Sequence, residues 1–251
     1  MIADPEVVGP QGPQRTVGRE RVTLSVVPRA SLAASVRDEI QALFRSAIRR
    51  TDESFREAFG AMDEVWLGRT SDGTLCAVAG LGYPTFTVGG RTSIVLHTTT
   101  VVTAPPFRGR GINARIGLQA WLRCRVRHPL ARLYWGFTSS TVSAYLLMTR
   151  NTVDHWPRHD RPTPPEVQAL MDVVGQRFES YDAVRGLVRL PDVRPPEVLV
   201  DGTTDPDPDV RFFWARNPRP HDGFGLLCVC PLTARNATRI VRRQSARWFT
   251  P

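Results

Sequence analysis

The chain has 251 residues, 41% of them hydrophobic, and a formal net charge of +9. That length can bury a full core within one large domain. All 33 basic residues are arginine, which excludes chemistry that needs a lysine, such as a Walker-type phosphate loop, a pyridoxal Schiff base or a Schiff-base aldolase. Between Asp72 and Asp154 there is no acidic residue, while nine arginines fall in that stretch (Arg91, Arg108, Arg110, Arg115, Arg123, Arg125, Arg127, Arg132 and Arg150). The whole net charge therefore sits in the middle third, which points to a polyanionic partner for that segment.

Residues 1–20 carry Asp4, Glu6, Pro10 and Pro13 without an apolar run, and read as a flexible N-terminal tail rather than a signal peptide or membrane anchor. No later stretch approaches the roughly 20 apolar residues of a membrane helix. From Arg21 a β-rich run over Val22 to Val27 is followed by Ser31 as an N-cap and by Leu32, Val36, Ile40, Leu43 and Ala47 at helical spacing. A second short helix is predicted around Asp52 to Phe59. Val65 to Arg69 and Leu75 to Leu81 then flank Asp72-Gly73, and Thr85 to Val88 and Thr92 to Thr103 flank Gly89-Gly90, which are hairpin signals. Two helices thus lead into an antiparallel meander of three strands, the middle one interrupted near Pro84.

Ala104-Pro105-Pro106 ends strand pairing, because proline has no N–H to donate. A glycine-rich turn and a helix from Asn113 to about Arg127 follow, closed by His128-Pro129. Leu133 to Phe137 reads as a buried strand and Thr141 to Arg150 as a short helix. His155 to Asp209 is rich in proline and reads as an insertion, with one helix over Pro165 to Phe178 that uses proline in its first turn. Two late strands, Val210 to Ala215 and Phe224 to Cys230, precede a basic helix around Ala234 to Arg243. The four cysteines (Cys76, Cys124, Cys228 and Cys230) are too sparse for a disulfide framework, so a reducing cytoplasm is the expected compartment. Alternation on a strand puts Cys228 and Cys230 on one face, without a second pair at zinc spacing, and no metal site is expected.

The most informative stretch is Pro105-Pro106-Phe107-Arg108-Gly109-Arg110-Gly111-Ile112-Asn113-Ala114. A strand ends, glycines turn the backbone, and a helix begins with the positive end of its dipole facing the turn, an arrangement that binds phosphate without lysine. Gly109, Gly111 and Ala114 also fit a loose dinucleotide fingerprint. That reading needs a parallel βαβ context and an acid about 20 residues on, whereas the upstream strands are hairpins and no acid follows until Asp154. A plain glycine turn capping a helix is the structural alternative.

Arg108-Gly109-Arg110-Gly111-Ile112-Asn113 resembles motif A of the GNAT superfamily of acyl-CoA N-acyltransferases, in which Arg or Gln, two residues, Gly, one residue, and Gly or Ala follow a strand and open a helix. Asn113 departs from it, since the family usually has a small residue there. The order of elements also resembles the family over Arg21 to Asn151. The resemblance implies an α/β fold with a mixed, mainly antiparallel sheet, splayed central strands and helices on both faces. The remainder of the chain, 21–251, is then a single acyltransferase domain carrying the insertion at 155–209. It further implies acetyl-CoA or another acyl-CoA as donor, with pantetheine along the backbone of Val101, Val102 and Thr103. The amides of Arg110 to Asn113 would take the pyrophosphate, with Gly109 and Gly111 shaping the turn. Arg108, Arg110 and Arg115 would neutralise phosphate oxygens.

Acyl transfer to an amine needs a base, oxyanion stabilisation and an acid for the leaving thiolate. Many members place a glutamate on the strand before the loop, and Thr92 to Thr103 has none. His97 is its only titratable side chain, with a reference pKa of about 6.5 that suits a base. It equally suits a core histidine bonded among Thr98, Thr99 and Thr100. Glu53, Glu57 and Glu64 are alternative bases. Tyr145 stands where the family carries an acid near the coenzyme sulfur, with Thr138 where asparagine is frequent, and its spacing also fits core packing. The acceptor expected is a small-molecule primary amine, with acyl carrier protein as an alternative donor and a non-catalytic acyl-CoA binder of the same fold as a further alternative. Neither nucleic acid nor a membrane is an expected partner, and a monomer or a homodimer is compatible with the sequence.

Overall fold

The computed structural model describes residues 21–48, 52–178, 180–190 and 202–248, so the predicted N-terminal tail lies outside the described residues. Its strands are β1 (Thr23–Pro28), β2 (Glu64–Arg69), β3 (Leu75–Gly82), β4 (Thr85–Val88), β5 (Arg91–Thr103), β6 (Arg132–Ser139), β7 (Tyr181–Asp182), β8 (Leu187–Arg189) and β9 (Phe224–Pro231). They form one sheet in the order β1-β2-β3-β5-β6-β9-β8-β7, with β4 turned back onto β5. Every pairing is antiparallel except β5 with β6. Those two run parallel because the helix between them, α3 (Ile112–Arg127), crosses over and returns the chain to the same end of the sheet. The mainly antiparallel sheet with helices on both faces is the architecture that the resemblance implies.

Two register features shape the centre. β5 pairs with β6 only from Ser93 opposite Arg132 to His97 opposite Gly136, and beyond His97 the two strands part. On its other edge β5 pairs with β3 from His97 opposite Gly82 to Thr103 opposite Ala77, but Gly80 stands opposite Thr100 and Leu81 opposite Thr98, so Thr99 is an extra residue. Such a bulge bends a strand and reverses which positions face each side. Ile94 and Leu96 accordingly face α3, whereas Val102 packs on the opposite face.

The face that carries α3 buries Ile112, Ile116, Ala120 and Cys124 against Ile94, Leu96 and Leu133. Farther along it, α4 (Val142–Asn151), α6 (Pro208–Arg216) and α7 (Ala234–Trp248) gather around Phe137, Leu226, Cys228 and Cys230. The other face carries α1 (Ala34–Ile48) and α2 (Asp52–Gly60), whose Ile40, Phe44, Phe55 and Phe59 cover Val65, Leu67 and Val78. On that same side α5 (Pro165–Gly175) lays Val167, Leu170, Met171 and Val174 on Val95, Tyr134, Leu227 and Val229.

Several sequence expectations need correction. Val210 to Ala215, expected as a strand, lies within α6. The Asp207 side chain accepts the N–H of Asp209, Pro208 occupies the first turn, and Val210, Phe213 and Trp214 share one buried helical face, a pattern too short to tell from alternation by periodicity. Ser31 ends a short 3-10 turn over Arg29–Ser31, and α1 starts only at Ala34. The interruption expected near Pro84 divides the middle strand of the meander into β3 and β4, which pair in turn with the same edge of β5. The proline-rich stretch also supplies β7 and β8, which extend the sheet beyond β9.

Asn236 of α7 holds the stretch after α4 in place. Its Oδ1 accepts the N–H groups of Val153 (2.7 Å) and Asp154 (3.0 Å), and its Nδ2 donates to the carbonyls of Asp154 and Pro231, both at 2.8 Å. The side chain is fully buried. Asn236→Leu strands those groups away from water and should lower the unfolding free energy by about 3 kcal/mol, measured by urea denaturation.

Candidate functional site

The parted ends of β5 and β6, the loop after β5 and the start of α3 converge. β5 runs into Pro105–Phe107, a single 3-10 turn, and the chain then passes Gly109 (φ 77°) and Gly111 (φ 70°) into α3. Gly111 is the residue that caps the helix, in the left-handed region that glycine enters without steric cost. No side chain caps this end, so the first-turn amides are left to a ligand or to solvent. With the helix dipole behind them they favour an anion.

The loop side chains hold this geometry. Arg108 Nε donates to the Thr103 carbonyl at 3.2 Å, and the Arg110 guanidinium stacks over the Phe107 ring at 4.9 Å. Asn113, exposed in the first turn, accepts a hydrogen bond from Thr103 Oγ1 at 3.3 Å, so its extra bulk leans toward the strand end. Ile112 is buried in the α3 core, Val101 is exposed, and the Val102 side chain is buried among α1 and α2. Thr103, Arg108, Arg110 and Asn113 are thus brought together, and beyond His97 the edge of β5 toward β6 has no ladder partner among the described residues.

Six of the other seven arginines of the acid-free stretch are spent elsewhere. Arg123 and Arg127 reach Glu64, Arg132 reaches Glu166 and Arg150 reaches Asp207, all acids from outside the stretch. Arg115 donates to the Val22 carbonyl and Arg125 to those of Pro129 and Ala131. The surplus read from the sequence is therefore largely structural, and Arg115 does not join the loop. Glu64, also bonded by the Tyr83 hydroxyl, is clamped near the C-terminal end of α3, which removes it as a base. The Glu53 and Glu57 side chains lie outside the described residues.

His97 is the last residue of β5 that pairs with β6, half-buried on the face of α1, α2 and α5. The Phe178 ring meets it edge-on at 6.2 Å. Burial, with a smaller contribution from the Arg177 guanidinium, lowers its pKa to about 4, so the ring is neutral at pH 7 and can accept a proton. Tyr145 is fully buried, packed on Phe212 and Phe213, and its hydroxyl donates to the Pro157 carbonyl at 3.0 Å. Burial pushes its pKa well above the usual tyrosine value. As an acid, Tyr145 would first have to leave that bond, so the geometry favours the packing alternative over the catalytic one.

Sequence reasoning named Thr138 but not the burial of its hydroxyl, and it missed two further features. Trp135 Nε1 donates to Thr98 Oγ1 at 2.9 Å across the base of the opening. Thr138, on β6 two residues past Gly136, has a buried Oγ1 with no partner among the described residues. Arg177 and Phe178, in the turn after α5, reach the neighbourhood of His97. A run of threonines over Thr98 to Thr100 was visible, but nothing local marks the bulge or the approach of α5. Among the described residues no cluster of His, Cys, Asp and Glu could hold a metal ion, and no helix is long and apolar enough to cross a membrane.

No family model and no curated protein matches the sequence. The chain resembles GNAT acetyltransferases of solved structure. It matches an IAA acetyltransferase from Bacillus cereus at 14% identity and TM-score 0.34, over 54% of this chain and 80% of that one. A GCN5-related N-acetyltransferase from Kribbella flavida matches at 17% identity and TM-score 0.36, over 54% of this chain. A probable N-acyltransferase from Enterococcus faecalis matches at 13% identity and TM-score 0.38, over 50% of this chain. The match spans only about a third of the last two chains, 34% and 31% of their lengths.

Two predictions follow from the buried groups. A histidine held at about 4 in the folded state and about 6.5 unfolded contributes stability above pH 6.5 that is lost as pH falls toward 4. Between pH 7 and 5 His97 should cost the fold about 2 kcal/mol, and His97→Gln should remove that share of the decline in urea unfolding. Tyr145→Phe should lower stability by about 1 kcal/mol through the lost bond to Pro157, read from the same transitions.

Proposed function

We propose that the protein transfers an acyl group from acyl-CoA to a primary amine. The observation that carries this reading is the parting of β5 and β6 after His97, with the Gly109 and Gly111 turn and the bare N-terminus of α3 at the mouth of the opening. An extended pantetheine arm suits the unpaired edge of β5, and a pyrophosphate suits the amides of residues 110–113 beside Arg108 and Arg110. The thioester end then reaches the apex of the opening, next to His97.

In the reaction, the acceptor ammonium loses a proton to solvent, the free amine attacks the thioester carbonyl, and His97 takes the second proton from the more acidic nitrogen of the tetrahedral intermediate. The tetrahedral oxyanion collapses with cleavage of the C–S bond, giving an amide and a CoA thiolate. The thiolate takes up one proton, so acyl-CoA and ammonium become amide, CoA thiol and one released proton. With Tyr145 bonded to Pro157, solvent at the mouth supplies the thiolate proton. That sealed hydroxyl also favours a second reading, a non-catalytic acyl-CoA binder, while an acyl carrier protein as donor would use the same opening.

Acetyl-CoA should raise the melting temperature by several degrees, and Gly111→Val, strained at φ 70°, should abolish the shift. CoA release with an amine panel then separates enzyme from binder. His97→Asn should cut turnover by roughly 100-fold while the acetyl-CoA shift persists, and equal turnover in the variant would remove His97 as base.

A further inference from the structure

The opening between β5 and β6 has two sides, and the phosphate-type loop occupies only one of them. Thr98 and Trp135 face that side, with α3. The other side is entered over α1, α2 and the end of α5, and an acceptor amine would approach His97 from there.

What faces His97 on this second side is cationic and aromatic. Beyond Gly175 the chain makes a turn in which Arg177 N–H donates to Val174 and Phe178 N–H to Gly175, at 3.2 and 2.9 Å. The turn places Phe178 edge-on to the His97 ring, while Arg177 is exposed with its guanidinium over the Phe86 ring at 5.9 Å. Among the described residues no carboxylate pairs with Arg177, and its guanidinium adds to burial in lowering the pKa of His97.

A simple ammonium would enter beside a like charge that no carboxylate among the described residues offsets. An acceptor that brings its own anion reverses the balance, and a guanidinium with a planar fork of donors fits a carboxylate. We propose that the acceptor is an amine that also carries a carboxylate, of the amino-acid class, with Arg177 gripping the carboxylate and His97 facing the amine. This rests on the acyl-transfer reading and narrows its substrate class. Arg177 is a specificity residue that contacts the acceptor away from the reacting atoms.

The test is CoA release from acetyl-CoA with the common amino acids and with matched amines that lack the carboxylate: phenethylamine for phenylalanine, isobutylamine for valine, histamine for histidine. Turnover should be confined to the acids. Arg177→Gln should raise the acceptor KM roughly tenfold or more, with a smaller change in kcat and none in the KM for acetyl-CoA. Arg177→Glu should shift preference toward the matched amines, a reversal that a merely structural role would not produce. Matched amines used as well as the acids, or an unaltered acceptor KM in Arg177→Gln, overturns the proposal. So does acetyl-CoA binding without turnover of any acid, which leaves the donor site standing. A protein that acetyl-CoA does not stabilise at all overturns the donor reading as well.

Discussion

The candidate site depends on the short parallel contact between β5 and β6 and its end at His97. A parallel pair needs a crossover helix, and α3 supplies it, beginning at the end of β5 where the two strands separate. If the strands paired to their ends, the sheet would be closed and the loop would face a wall. Because they part, a polar strand edge, a set of bare helix amides and a neutral histidine come within reach of one extended ligand.

The separation is held from outside the gap. The extra residue at Thr99 bends β5 while its pairing with β3 continues, and the Thr99 hydroxyl donates to the Gly80 carbonyl at 3.2 Å. On the far side β6 stays in register with β9 from Tyr134 to Ser139. Each strand is thus kept by its outer neighbour while the inner edges diverge. The Trp135 to Thr98 bond spans the base of the divergence, and Asn236 ties the chain after α4 to the end of β9.

Electrostatics divides along the same line. On the loop side Arg108 and Arg110 favour a polyanion. On the other side burial, with a smaller contribution from Arg177, keeps the His97 ring neutral, and the guanidinium disfavours a bare cation. Most of the other arginines in the acid-free stretch answer carboxylates and carbonyls brought from distant parts of the chain. One-sided charge in a sequence therefore does not by itself mean one-sided charge on a surface.

Local signals determined much of this protein. Gly109, Gly111 and the prolines before them announce a strand, a turn and a helix start, since φ preference and missing donors act over a few residues. Helical and alternating patterns placed most elements up to Asn151 within a residue or two. Only the tertiary structure decided the rest. Val210 to Ala215 is helical because Asp207 caps it and its apolar residues meet α4 and the sheet. Tyr145 looked available until the chain at Pro157 folded over its hydroxyl. Arg177 lies 80 positions beyond His97, and no spacing rule links them. Backbone preferences are written residue by residue, whereas burial, pKa and the partner of a charge depend on which distant segments the sheet brings together.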